Sequence, residues 1–321
     1  MEGQGDERST LRDEIKRLRA EGRYDGAAAV AESVLLTDER LRGPDHSDLA
    51  VSLNDLAELY CDQGKYALAQ QLLRRSLAIE EKMLGPDHPT VATSLNSIAV
   101  LSCVQGQYAL ALPLYERALT IRVKVLGRSD LVVATSLSNL ANLHRAEGRF
   151  ALAEPLYKRA LAIQEEVLGQ DNPVIASSLN NLAALYCDQG QYALAQALHT
   201  RALAMREALL GADHPDVASS LDTLAGLYRA QGKYALAVPV YKRALAIYDN
   251  AFGGDHPDVA ISLNNLGSLY LDQGQYELAE LLLKRSLVIL ENSLGAGHPD
   301  VAIVLANLAR LDETIGFATR A

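Results

Sequence analysis

Carboxamides recur along this chain at a spacing of 42 residues. Asn54, Asn96, Asn180 and Asn264 form one series, with Asp222 standing in the same register, and Asn139, Asn181, Asn265 and Asn307 form a second, with Asn142 beside it. A carboxamide offers two N–H donors and an acceptor oxygen, the complement of a backbone C=O and N–H, so a ladder of them can hold an extended main chain whatever its side chains. The same groups equally bond neighbouring helices or water, and copying within one chain fits either use.

The other reactive side chains do not converge. His46, His88, His214, His256 and His298 come one per repeat, whereas a zinc site needs three or four ligands meeting at about 2 Å; no metal site and no cofactor are expected. Cys61, Cys103 and Cys187 lie 42 and 84 residues apart at one repeat position. Equivalent points in adjacent helical units are roughly 8–10 Å apart, beyond the 7 Å or so that a disulfide spans, so reduced thiols in a reducing compartment are expected. No cysteine has a histidine at i±3 or i±4 to act as its base, and His144 falls one position off the cysteine register by chance of repetition. The chain has no Gly-x-x-x-x-Gly-Lys-Ser/Thr phosphate loop, no Gly-x-Ser-x-Gly elbow, no Cys-x-x-Cys and no His-Glu-x-x-His. The expectation is a binder and not an enzyme.

The elements that position these residues are written in the punctuation. Gly43, Gly85, Gly127, Gly169, Gly211, Gly253 and Gly295 set the 42-residue period, and a period of this size marks units that cannot bury an apolar face alone and stack into a solenoid. Leu179, Leu182, Ala183 and Tyr186 fall on one face at 100° per residue and predict a first helix, A. Gly190 and its counterparts close that helix in a left-handed conformation. Tyr192, Ala195, Leu198, Ala202, Leu203 and Met205 trace a second, B. Asp213-His214-Pro215 and Asp255-His256-Pro257 put proline at the next helix start, and Pro113, Pro155 and Pro239 are expected within the first turn or so of helix B.

Composition agrees. The chain has 321 residues, 49% of them apolar, no tryptophan and a net charge of −10. That charge disfavours nucleic acid and anionic membranes; no apolar run reaches the ~18 residues of a span; and the N-terminus lacks a signal-peptide core. A cytoplasmic location is expected.

With Ala50, Ala92, Ala134, Ala176, Ala218 and Ala260 counted as position 1, one unit carries Leu221, Leu224, Ala225, Tyr228, Ala237, Tyr241 and Ala244 at positions 4, 7, 8, 11, 20, 24 and 27. In this pattern the chain resembles the tetratricopeptide repeat family. The longer unit, with Ser-Leu-Asn-Asn-Leu-Ala at 178–183 and Leu-Tyr-Lys-Arg-Ala-Leu at 156–161, is similar to the kinesin light chain subclass. Position 32, a proline in the usual unit, holds Glu81, Val123, Glu165, Glu207, Asp249 and Glu291, and helix B runs on about two turns further. The resemblance implies an all-α, right-handed α-solenoid of antiparallel helix pairs, seven hairpins plus a C-terminal solvating helix. Residues 1–42 are read as a short tail and a degenerate N-terminal capping repeat, 43–294 as six full repeats, and 295–321 as a C-terminal capping helix and tail, with Asp312 and Glu313 facing water.

In the family, positions 2, 5, 9, 12 and 13 of helix A, with 6 at the margin, line a concave groove. The candidate partner-binding residues are therefore Asn54, Asn96, Asn139, Asn142, Arg145, Asn180, Asn181, Asp222, Arg229, Asn264, Asn265 and Asn307. They resemble the asparagine ladders that hold peptide main chain in superhelical members. Arg145 and Arg229 either pair with acidic ligand residues or are simply solvated. The small residues at 184, 226 and 268 are expected to open a shallow pocket. Position 2 carries Val51, Thr93, Thr135, Ser177, Ser219, Ile261 and Ile303, so the family's cationic clamp for a terminal carboxylate is missing from these units. Arg75, Arg117, Arg159, Arg201, Arg243 and Arg285 recur at position 26, where a solvated or salt-bridged structural ladder is favoured over a site for an acidic partner.

The functional expectation is a non-catalytic scaffold or adaptor binding a peptide or partner protein in the groove. The alternative is a sensor or regulatory array of a bacterial signalling or defence complex whose effector is a separate chain. A motor light chain fits less well, because residues 1–42 are too short for a heptad coiled coil.

Overall fold

The structure, a computed structural model, describes residues 2–318, with side chains described for 10–41 and 43–315. Met1 and residues 319–321, the extremities of the two terminal segments read above, lie outside the described residues. Two compact units divide the chain at Ile163/Gln164. The first contains α1 (Glu2–Ala20), α2 (Tyr24–Arg42), α3 (Ser47–Asp62), α4 (Tyr66–Leu84), α5 (Pro89–Val104), α6 (Tyr108–Leu126), α7 (Leu131–Ala146) and most of α8 (Phe150–Leu168). The second contains α9 (Pro173–Asp188), α10 (Tyr192–Leu210), α11 (Pro215–Ala230), α12 (Tyr234–Phe252), α13 (Pro257–Asp272), α14 (Tyr276–Leu294) and α15 (Pro299–Ala318). In each unit a helix A packs antiparallel on its helix B, and hairpin follows hairpin in chain order. The segment read as a tail is helical from Glu2.

The boundaries follow from local chemistry. At the end of α9, Gly190 takes φ +72°, its N–H bonds the Cys187 carbonyl at 2.9 Å, and the Gln191 N–H bonds the Tyr186 carbonyl at 2.8 Å. This is a Schellman closure, which requires a left-handed residue. At the end of α10, Gly211 stands at φ 89°, ψ 156°, a region open to glycine and strained for any residue with a Cβ. The loop histidines turn out to be helix N-caps. His214 Nδ1 accepts the Asp216 N–H at 3.1 Å and His256 Nδ1 that of Asp258 at 3.2 Å. Asp130 and Asn172 do the same in two other repeats, with 2.7 and 2.9 Å bonds. An unprotonated imidazole nitrogen thus serves as a carboxylate or amide oxygen serves elsewhere, satisfying one orphan N–H of the first turn.

Pro113, Pro155 and Pro239 lie inside α6, α8 and α12, each five residues after the first helical residue and so in the second turn, at the far edge of the range expected, and all three helices run on without a break. Each costs one backbone hydrogen bond, a loss the packing of the surrounding helices absorbs.

Packing explains why the hairpins stack. Ala57, Ala69 and Leu73 of one repeat cluster with Ile98 and Leu101 of the next; Ala225, Ala237 and Tyr241 cluster with Leu266 and Leu269. Ala57, Ala69, Ala225 and Ala237 are fully buried, which lets two backbones approach closely. Leu59, Leu101, Leu143, Leu185, Leu227 and Leu269, at position 10, are also buried, although a single apolar stripe at positions 4, 7, 8 and 11 leaves position 10 out. Helix A is covered by its own helix B and by the adjoining repeat, so its buried arc is wider than an isolated hairpin requires. In α15, Leu311 is buried while Asp312 and Glu313 are exposed.

Candidate functional site

The position-5 residues sit at the edge of this wide buried arc, and most of them bond across to the next repeat. In the first unit, Asn54 donates through Nδ2 to Glu80 Oε1 at 3.3 Å and to Ser94 Oγ at 3.4 Å, and Asn139 Nδ2 donates to Asn96 Oδ1 at 2.9 Å. In the second unit, Asn180 is buried; its Nδ2 donates to Ser220 Oγ at 3.3 Å and its Oδ1 lies 2.9 Å from His199 Nδ1. Burial pushes the His199 pKa down to about 4, so the ring is neutral, and the amide oxygen facing it places the proton on Nδ1. Asn264 is buried and accepts from Asn307 Nδ2 at 2.8 Å. Asp222 accepts from Ser262 Oγ at 3.4 Å.

Three of these residues, Asn54, Asn180 and Asp222, bond a serine that the sequence reading passed over. Position 3 is Ser52, Ser94, Ser136, Ser178, Ser220 and Ser262, all buried. Four of them, Ser52, Ser94, Ser136 and Ser220, meet the position-31 residue of the preceding repeat, which changes from copy to copy. Asp38 accepts from Ser52 at 2.5 Å, Arg122 donates to Ser136 at 2.7 Å, and Arg206 donates to Ser220 at 2.8 Å and to Ser177 at 2.7 Å. Glu80, 3% exposed, has its carboxyl raised by burial, against hydrogen bonds from Ser94, Ser76 and Asn54. A small hydroxyl that donates or accepts suits every one of these neighbours, which accounts for its repetition.

The outer positions are partly spoken for. Asn142 is exposed, and its Oδ1 accepts from the Tyr157 hydroxyl. Asn181 and Asn265 are half-buried, as is Arg145. Arg229 is held by Asp272, Nε to Oδ2 at 2.5 Å, and Arg310 reaches the same carboxylate at 3.3 Å, so the guanidinium of Arg229 serves repeat-to-repeat contact. Of the three small residues expected to open a shallow pocket, Ala184 and Gly226 are half-buried, with the Tyr241 hydroxyl 3.5 Å from where a Cβ on Gly226 would lie, and Ser268 is buried.

A concavity on the helix-A face lies instead in the first two repeats. A cavity of about 350 Å³ is lined by Arg12, Ile15, Lys16 and Arg19 of α1 and by Val51, Asp55, Glu58 and Leu59 of α3. Arg12 pairs with Asp55 at 3.4 Å, and Arg19 with Glu58 at 3.1 Å and Asp62 at 2.6 Å. The α1 residues stand at positions 5, 8, 9 and 12 when the count is carried back from Ala50 through Leu11, Gly22 and Tyr24. That register was the signal available for finding them.

Cysteine chemistry is disfavoured. Cys61 is pushed up to about 11, by burial first and then by Asp62 and Glu58, and burial also raises Cys103; thiols held in the protonated form are poor nucleophiles. None of the three cysteines forms a disulfide. The position-26 arginines pair with the acid at position 32 of the preceding repeat: Arg117 with Glu81 at 2.7 Å, Arg201 with Glu165 at 2.8 Å and Arg243 with Glu207 at 2.7 Å. The carboxylate at position 32 is one half of an inter-repeat ion-pair ladder. Among the described residues, no group of three or more His, Cys, Asp or Glu is placed to hold a metal ion, and no helix is long and apolar enough to cross a membrane.

The chain is similar to known proteins at the level of sequence pattern and fold. The tetratricopeptide repeat profile matches residues 18–82, 48–103, 90–166, 174–250 and 223–292, most of the chain. No curated relative matches. Among solved structures, the nearly identical TPR-like repeats of a kinesin light chain-like protein of Podosopora anserina align at 28% identity over 64% of this chain and 98% of that one, with a TM-score of 0.51. A point variant of the same protein aligns at 28% identity over 64% and 97%, with a TM-score of 0.52. BtubC (BKLC) of P. vanneervenii aligns at 25% identity over 74% of this chain and 93% of that one, with a TM-score of 0.53. The stacked hairpins, the small residues between their helices and this profile agree: the chain belongs to the tetratricopeptide repeat family.

Proposed function

We propose that the protein is a non-catalytic scaffold or adaptor that binds a peptide or partner protein along its concave helix-A face. The observation that carries this reading is the cavity between α1 and α3, lined by Arg12, Lys16, Asp55 and Glu58 over an apolar floor of Ile15, Val51 and Leu59. An apolar recess with a few polar groups converging on it is the usual form of a recognition site. Its charges of both signs suit a peptide that carries both. Within the first unit, Asn139 and Asn142 offer amides for holding main chain; within the second, Asn181, Asn265 and Asn307 do the same, while the buried Asn180 and Asn264 hold adjacent repeats of that unit in register. Reduced thiols at Cys61, Cys103 and Cys187 agree with a cytoplasmic location.

The test is quantitative affinity capture with the wild-type chain, with Lys16→Glu/Asp55→Lys, and with Asn139→Ala/Asn181→Ala/Asn265→Ala. A partner retained by wild type and lost from either variant supports the reading, provided circular dichroism shows both variants folded. A partner set identical across the three proteins removes the helix-A face from consideration.

A further inference from the structure

The opposite side of the hairpins carries a regular feature that the helix-A reading leaves unused. Position 19, in the first turn of each helix B, is leucine in all six full repeats: Leu68, Leu110 and Leu152 in the first unit, Leu194, Leu236 and Leu278 in the second. All six are exposed, at 45–54%, although the alanine that follows each is fully buried. Core packing therefore uses the alanine and does not require the leucine. Beside two of these leucines the first unit has apolar notches. One, of about 290 Å³, is bordered by Leu35, Leu56, Leu68 and Leu72; the next, of about 350 Å³, by Leu77, Ile98, Leu110 and Leu114. The two sets occupy the same repeat positions, so the notches are one structural feature repeated at the step of the stack.

The polar border says what fits. Arg74 lines the second notch, is exposed, and has no ion-pair partner among the described residues, in a chain of net charge −10 whose position-26 arginines are mostly paired. Lys65, the residue before α4, is held by Asp25 at 3.8 Å, so the charge at this border rests on Arg74 alone. The first notch carries Glu32 at the repeat position that Arg74 holds in the second, its carboxylate accepting from the Tyr60 hydroxyl at 2.7 Å, so a partner carboxylate belongs at the second notch and not at the first. Layers of packed helices advance by about 8–10 Å, close to the ~10.5 Å rise of seven residues in an α-helix. We propose that the helix-B face of the first unit is a second docking surface, and that its occupant is an acidic amphipathic helix of a partner protein. Leucines seven residues apart would enter the two notches and a carboxylate beside the second would meet Arg74. Such helix-in-groove recognition draws affinity from the apolar anchors and orientation from the charge.

The experiment uses the full chain and a fluorescein-labelled amphipathic peptide carrying leucines at heptad spacing and glutamates between them, with a Glu→Lys version as control, read by fluorescence anisotropy. The wild type is expected to bind the glutamate peptide and not the lysine peptide. Arg74→Glu should weaken the glutamate peptide by about tenfold and gain the lysine peptide, and Leu110→Ser should weaken the glutamate peptide by a similar factor. Both side chains are exposed, and circular dichroism verifies that each variant folds. The proposal is overturned if the wild type does not bind, if neither substitution matters, or if binding is lost only on Asn139→Ala/Asn142→Ala, which puts the peptide on the helix-A face. Binding to vesicles of phosphatidylserine and phosphatidylcholine that is abolished by the same two substitutions, without peptide binding, overturns it in favour of a lipid surface.

Discussion

Asp222 replaces an amide in the column occupied by Asn180 and Asn264, and the substitution should make stability depend on pH. Burial pushes its carboxyl from 3.8 up to about 7; the Ser262 hydroxyl opposes the shift and the Asp258 carboxylate adds to it. An acid whose pKa is raised by folding holds its proton more tightly in the folded state, so its contribution is most favourable below the unfolded pKa near 4 and is lost as pH rises to about 7. At 1.36 kcal/mol per unit, a rise from 3.8 to about 7 gives a ceiling of about 4 kcal/mol, and water entering near the ionised carboxylate will reduce it. Asp222→Asn removes the titration while keeping an oxygen that accepts from Ser262. Guanidinium unfolding followed by circular dichroism should find the variant more stable than wild type by about 2–4 kcal/mol near pH 8, with the gap closing near pH 4. Amide hydrogen exchange should place the gain in α11 and α13, the helices that carry Asp222 and Ser262. A difference of the same size at both ends of the range would refute the assignment, because it would come from packing and not from a proton.

Substitutions at four further residues probe other parts of the reasoning. Gly267→Ala would put a Cβ 3.0 Å from Leu283 Cγ and 3.4 Å from the Ala279 carbonyl oxygen, so a loss of about 1–3 kcal/mol is expected from overpacking; Gly226→Ala, whose nearest contact is the Tyr241 hydroxyl at 3.5 Å, should instead gain up to about 1 kcal/mol in helix propensity. For His199, whose pKa is lowered to about 4 by burial, the favourable contribution is complete above the ordinary value near 6.5 and disappears as pH falls through about 4; His199→Gln, which can still donate to Asn180, should flatten the stability profile between those limits in the same unfolding assay. His214→Ala removes the N-cap of α11 and should cost about 1 kcal/mol, whereas His214→Asp should cost almost nothing; equal losses in thermal denaturation would exclude the capping role.

The fold was legible because its signals are local. Gly190 needs a positive φ whatever lies around it, and Pro215 and Pro257 tolerate a missing N–H only near a helix start. Such residues act through their own backbone, so a sequence displays them directly. The candidate site was less legible because it depends on what a neighbouring repeat places opposite. A helical wheel puts Asn180 and Asn264 on the groove side, but it has no knowledge of Ser220 or Asn307 one repeat on, and those partners draw the amides into the interface. Position 31 hides for a related reason: Asp38, Glu80, Arg122 and Arg206 are charged and different from one another, the usual mark of a solvated face, yet each is buried against a serine. Arg12, Lys16 and Arg19 were within reach, since the register extends back to them, and were passed over because residues 1–42 were read as a tail and a degenerate capping repeat. In a repeat array the column that varies is therefore open to two meanings, partner recognition or adaptation to the next repeat. Only the side chain across the interface decides between them, and for Arg229 that side chain is Asp272.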